Sequence, residues 1–135
     1  MKVGIDPDID KIGVACLVDG LLIINTMDFV SLIDFIRHQR SDITDVYVEA
    51  GWLNKKASWH AAKNMNIAAN IGMKVGQNQA VGKLIVQSIR AAGLNVIEVK
   101  PTSKKLDADQ FKRLTKYQGR TNQETRDAAM LIWGR

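Results

Sequence analysis

The chain has 135 residues, the size of one domain, and its 46% hydrophobic content suits an ordinary globular core. Its only cysteine, Cys16, rules out an internal disulfide, and His38 and His60 have no Cys or His partner at zinc spacing, so neither a disulfide scaffold nor a structural zinc module is expected. The net charge of +5 is split unevenly, with 4 Lys/Arg against 9 Asp/Glu in residues 1–50 and 15 against 5 in residues 51–135, which reads as carboxylates reserved for metal beside a phosphate-binding face.

The longest apolar run, Ile12 to Val18, is far shorter than a membrane span, and Asp6, Asp8 and Asp10 follow Lys2 too closely for an apolar signal core. With no repeat, linker or low-complexity stretch, the expectation is a single domain over 1–135 in a soluble, cytoplasmic protein with no membrane partner.

Residues 2–6 read as a short buried strand. Residues 11–18, rich in β-branched side chains, read as a second, and Asp19-Gly20 is a hairpin turn leading into a third at 21–26. Asp28 or Ser31 then caps a helix that runs to about His38. Residues 45–49 read as a fourth strand whose centre, Val46-Tyr47-Val48, is continuously apolar, the pattern of a buried parallel strand reached by a crossover helix. Gly51, Asn54, Asn64, Asn66 and Asn70 weaken any long helix over 51–73. A helix from about Val75 to Ala92 is better supported, with Val75, Val86 and Ile89 on one face beside Ala80 and Gly82 and with Gly93 as its C-terminal cap. A fifth strand covers 94–99. A helix over 107–117 turns Phe111 and Leu114 inward, and a last one over 122–133 starts at Asn122. The order β-β-β-α-β-α-β-α-α predicts an α/β fold: a five-stranded mixed sheet, made of a three-stranded antiparallel meander plus parallel strands, flanked by helices.

Two apolar strands stop at a carboxylate, the first at Asp6 and the fourth at Glu49. Ligand sites in open α/β sheets form at strand C-terminal ends, so adjacent parallel strands would bring these two acids to one edge. Glu124 and Asp127 are three residues apart and share a helix face, near an N-terminus whose dipole tolerates acids. Four clustered carboxylates repel one another unless a cation neutralises them, and hard oxygen donors select Mg²⁺ or Mn²⁺. A pair of such ions, roughly 3.5–4 Å apart, activates water and stabilises the leaving oxygen in phosphodiester cleavage. The run Asp6, Asp8, Asp10 imitates a calcium loop, but Lys11 stands where that loop needs glycine and Leu17 where it needs a bidentate acid. Asp8 and Asp10 are therefore turn residues.

Several short motifs, in this order, resemble the RuvC family of Holliday junction resolvases, within the ribonuclease-H-like superfamily. They are Gly4-Ile5-Asp6-Pro7 followed by Gly13-Val14-Ala15, then Val48-Glu49, Lys74-Val75-Gly76-Gln77, Pro101-Thr102-Ser103-Lys104-Lys105 and Glu124-Thr125-Arg126-Asp127-Ala128-Ala129. The resemblance covers essentially the whole chain. It implies a ribonuclease-H-like fold and a Mg²⁺-dependent (or Mn²⁺-dependent) endodeoxyribonuclease of the crossover-junction type, acting as a homodimer on branched DNA in recombination and repair. By position it makes Asp6, Glu49, Glu124 and Asp127 the ligands of two ions and Lys105 a further catalytic residue at the scissile backbone. Trp52 matches an aromatic that stacks on opened bases. The basic residues Lys55, Lys56, Lys104, Lys105 and Lys112 are the expected DNA contacts.

The chain departs from the family at Asp8, where glycine is usual, at Glu124, where Asp is common, and over 55–70, which is longer. The compact chain suits a phage or prophage version. The alternatives are a ribonuclease-H-type enzyme on other nucleic acids and a junction-binding module without catalysis. A nucleotide-binding site of the actin or sugar-kinase kind needs two such domains, and this chain has room for one.

Overall fold

A computed structural model of the chain describes residues 1–54 and 65–135. Its five strands are β1 (Lys2–Asp6), β2 (Ile12–Val18), β3 (Leu21–Met27), β4 (Asp45–Glu49) and β5 (Val96–Val99). The helices are α1 (Phe29–His38), α2 (Met65–Ala91), α3 (Ala108–Thr115) and α4 (Gln123–Met130), with a 3-10 turn at Gly51–Leu53. The sheet order is β3-β2-β1-β4-β5. β1, β2 and β3 form the expected antiparallel meander, and β4 runs parallel to both β1 and β5.

Side-chain alternation along the strands divides the core into two layers. Val3, Ile5, Val14, Cys16, Val46 and Val48 face one side and pack against Leu32 and Ile36 of α1 and Ile85, Val86 and Ile89 of α2. Ala15 and Leu22 face the other side and pack against Phe111 of α3 and Ala128, Ala129, Leu131 and Ile132 at α4. Burial pushes the Cys16 thiol up to about 11, which leaves it an inert core group.

The caps explain where helices begin. Asp28, rather than Ser31, caps α1 by accepting from the Ser31 amide at 2.7 Å. Asp107 with Gln110, and Asn122 with Thr125, form reciprocal capping boxes at α3 and α4. Gly93 adopts φ +79 just after α2.

The structure corrects the sequence reading in four elements. The helix expected from Val75 already runs from Met65, and residues 65–77 are exposed throughout. Val75 is 46% exposed, so it does not share the buried face of Val86 and Ile89; the core-facing stripe begins at Val81 and Gly82. Leu114 is 50% exposed, because the inward stripe of α3 follows Phe111 and Thr115 at i, i+4 and places Leu114 a quarter-turn away. The fifth strand and last helix are shorter than expected, at Val96–Val99 and Gln123–Met130.

Candidate metal centre

Ile5 pairs with Val48 in the parallel β1–β4 ladder, so the next positions, Asp6 and Glu49, lie side by side at the strand ends. Ile5 and Val48 point into the α1/α2 core layer. Alternation therefore turns Asp6 and Glu49 to the opposite face, where α4 packs.

α4 reaches that face only because two strand positions lack a side chain. A Cβ at Gly4 would collide with the carbonyl of Ala128, and one at Gly13 would collide with the carbonyl of Glu124. Glycine at both positions lets the helix backbone rest on the sheet, with Asp127 delivered to the strand ends. The carboxylate oxygens of Asp6, Glu49 and Asp127 lie within 4.8 Å of one another. Glu124 stands outside that group, one turn earlier over Gly13, which is itself the strand partner of Asp6. Its charge still reaches Asp6.

The electrostatics follow from this crowding. Asp6 is pushed up to about 8, first by burial and then by the charge of Glu49, with Asp127 and Glu124 adding to the effect and Lys105 opposing it. Glu49 is also raised, by burial first and by Asp127, against the pull of Lys105. Lys105, from the segment between β5 and α3, donates to Asp127 Oδ2 and lies 3.5 Å from Glu49 Oε1. Burial works to lower its pKa, but the bond to Asp127 and the charges of Glu49, Asp127 and Asp6 raise it overall, so it stays an ammonium.

Sequence reasoning missed the residues that orient Asp127. Gln123 Nε2 donates to Asp127 Oδ1 at 2.7 Å, and Arg126 Nη2 donates to Gln123 Oε1 at 2.9 Å. Arg126 is fixed in turn by Leu106 O and Thr121 Oγ1. The i, i+4 spacing of Gln123 and Asp127 was the available signal. Asn78 of α2 was missed as well. It accepts from the Ile9 amide at 2.9 Å and donates to Asp8, which itself accepts from the amides of Asp10 and Lys11. Asp8 is thus a turn residue tying the β1–β2 loop to α2.

Two clefts flank the acids. One is lined by Asp6, Glu49, Gly51, Trp52, Asn78 and Gln79. The half-buried Trp52 ring lies against Gly82, where a Cβ would collide with it, and its indole N–H donates to Glu98 at 2.8 Å. Arg90 pairs with the other oxygen of Glu98 at 2.9 Å, so Trp52 is a fixed wall. The second cleft has an apolar floor that includes Val99, Leu106 and Met130, and a rim that includes Lys100, Thr102, Lys104, Lys105 and Arg135. Lys112 is exposed on α3, among the residues of neither cleft. Lys55 and Lys56 lie outside the described residues.

The donor set fits a hard divalent cation: oxygen ligands only, partly accessible, and mutually repulsive without one. No helix among the described residues is long and apolar enough to cross a membrane.

No protein-family model matches the chain, and no curated protein matches it in sequence. Among solved structures the chain is similar to T. thermophilus RuvC in complex with a Holliday junction substrate, with a TM-score of 0.57 and 12% identity, covering 96% of this chain and 88% of that one. At this identity the likeness is one of fold, and the chain has the RuvC-type, ribonuclease-H-like α/β architecture.

Proposed function

We propose that this chain, a single RuvC-like domain over 1–135, is a divalent-metal-dependent endonuclease that resolves four-way or otherwise branched DNA. The observation that carries the reading is the convergence of Asp6, Glu49 and Asp127 at the ends of parallel strands in a RuvC-type fold. Asp6, Glu49 and Asp127, with Glu124 beside them, would hold two Mg²⁺ or Mn²⁺ ions. Bound there, the ions supply an activated water nucleophile and stabilisation of the leaving oxygen.

The chain's own residues prepare that chemistry. Gln123, itself held by Arg126, fixes the orientation of Asp127. Lys104 and Lys105, on the rim of the second cleft, offer ammonium groups to the scissile strand. Trp52 presents a ring in the first cleft on which an unpaired base can stack, worth roughly 1–3 kcal/mol per base. Lys55, Lys56 and Lys112 add phosphate contacts. Backbone shape, rather than base identity, selects the substrate. Ile71 and Val75, four residues apart on α2, are exposed apolar side chains, which supports a homodimer able to cut two strands symmetrically.

The test is cleavage of a labelled four-way junction by wild type and Asp6→Asn over a Mg²⁺ titration, with flaps and RNA–DNA hybrids in parallel. Wild type is expected to cut the junction, and the variant to bind it without cutting. Cleavage by Asp6→Asn at the wild-type rate ends the catalytic assignment. Preference for hybrids redirects it to a ribonuclease-H-type activity, and binding without cleavage by wild type leaves a junction-binding module.

A further inference from the structure

The cation facing the carboxylates is the chain's own Lys105. Its ammonium donates to Asp127 Oδ2 and lies 3.5 Å from Glu49 Oε1, and these two acids belong to the three whose oxygens lie within 4.8 Å of one another. A divalent ion on this cluster would need the same oxygen lone pairs. An ammonium hydrogen-bonded to them and an ion coordinated by them exclude one another, so loading the ion means moving Lys105.

Two features make that movement inexpensive. Lys105 is 41% exposed at its side chain, so it can swing out into solvent, and the incoming ion takes over neutralisation of the buried Glu49 and Asp127 carboxylates it leaves. It also belongs to the rim of the second cleft, beside Lys100, Thr102, Lys104 and Arg135. No ion pair among the described residues engages Lys100, Lys104 or Arg135. This rim is an uncompensated positive surface next to the acids, and a nucleic-acid phosphate held there offers Lys105 replacement oxygen acceptors.

We propose that Lys105 and the divalent ions are alternative occupants of the Glu49–Asp127 pair, and that backbone phosphate in the adjoining cleft draws Lys105 away, so that metal and nucleic acid load cooperatively. This rests on the reading of the cluster as a metal site. Without nucleic acid, Lys105 neutralises the acids and weakens metal binding. With phosphate in the cleft, the same side chain leaves the acids and holds the strand. Linkage makes the effect reciprocal: whatever nucleic acid does for metal affinity, metal does for nucleic-acid affinity.

The test is Mg²⁺ affinity by titration calorimetry, and Mn²⁺ affinity by the spin-resonance signal of the free ion. Both are measured with and without a four-way junction carrying phosphorothioate linkages at the crossover. In the free protein, Lys105→Met is expected to bind Mg²⁺ about fivefold or more tightly than wild type. The junction is expected to raise wild-type Mg²⁺ affinity by about fivefold or more, and that of Lys105→Met by less than about twofold. Lys105→Gln, neutral but of different shape, is expected to follow Lys105→Met, and thermal melting in Mg²⁺ establishes that both variants fold. Unchanged or weaker metal binding in both folded variants overturns the proposal. A junction that fails to bind wild type overturns the nucleic-acid half together with the proposed function, while the free-protein comparison still decides whether Lys105 competes with metal.

Discussion

Gly4 of β1 sits directly beneath the carbonyl of Ala128 in α4, and that contact sets the height of the helix above the sheet. It is one residue from Asp127 and two from Asp6, so the same contact sets how closely those acids approach. Gly4→Ala is expected to destabilise the protein by about 1–3 kcal/mol, since its methyl would meet backbone that cannot rotate aside. It is also expected to weaken Mg²⁺ binding, as read by calorimetry. The identical change at Gly76, in the exposed first half of α2 with nothing near its missing Cβ, is expected to stabilise by roughly 0.5–1 kcal/mol through helix propensity. Melting curves of the two variants moving in the same direction would contradict this account of how α4 is seated.

Asp6 carries a pH signature. Its pKa in the folded protein is about 8, against 3.8 as the ordinary value. Between those limits the folded state binds more protons than the unfolded state, so stability falls as pH rises from about 4 to about 8. Metal-free wild type is therefore expected to melt progressively lower over that interval, with Asp6→Asn showing a flatter profile. Added Mg²⁺ is expected to raise the melting temperature more at pH 8 than at pH 5, where protons compete for the same carboxylate. A profile for Asp6→Asn parallel to wild type would remove Asp6 as the source.

Gln123 holds Asp127 from the opposite side to Lys105. Gln123→Ala removes two hydrogen bonds, one given to the Asp127 carboxylate and one accepted from the Arg126 guanidinium, so a loss of about 1.5–3 kcal/mol in stability is expected. Metal affinity should fall as well, because Asp127 loses its fixed rotamer. Circular dichroism melts and Mg²⁺ titration measure the two effects separately. Weakened stability with unaltered metal affinity would make Gln123 a packing residue alone.

Trp52 and Glu98 test whether the indole is a fixed wall. Glu98→Ala frees the indole N–H and leaves Arg90 without its partner. A loss of about 1–3 kcal/mol in stability is expected. Trp52→Phe keeps a ring in the cleft, and is expected to retain the fluorescence rise of a 2-aminopurine placed at a junction centre; Trp52→Ala is expected to lose it. An undiminished rise with Trp52→Ala would leave Trp52 a purely structural side chain.

Salt dependence separates phosphate contacts from the rest. Lys104→Gln is expected to weaken junction binding uniformly across sequences and to lower the slope of log affinity against log salt by about 1. An unaltered slope would place the strand elsewhere than the second cleft.

The sheet was legible in the sequence because its signals are local. The β-branched apolar run 11–18, the Asp19-Gly20 turn and the apolar run 46–48 each report on their own neighbours. The endpoints Asp6 and Glu49 were legible for the same reason: a charged residue terminating an apolar strand stands out in one dimension. The extent of α2 was not, because asparagines and glycines over 64–76 carry weak propensity and residues 65–77 bury nothing that would leave a periodic trace.

By itself, then, the chain determined which elements form, where carboxylates end them and which residue types could serve a hard cation. Only the folded structure decided distances: that α4 lies on Gly4 and Gly13, that Asp127 joins Asp6 and Glu49 while Glu124 stands a turn away, and that Lys105 sits among the acids. The physical reason is that propensity and patterning act between residues a few positions apart. Contacts between positions 4 and 128, or 49 and 105, arise from packing of the whole chain, and no local spacing encodes them.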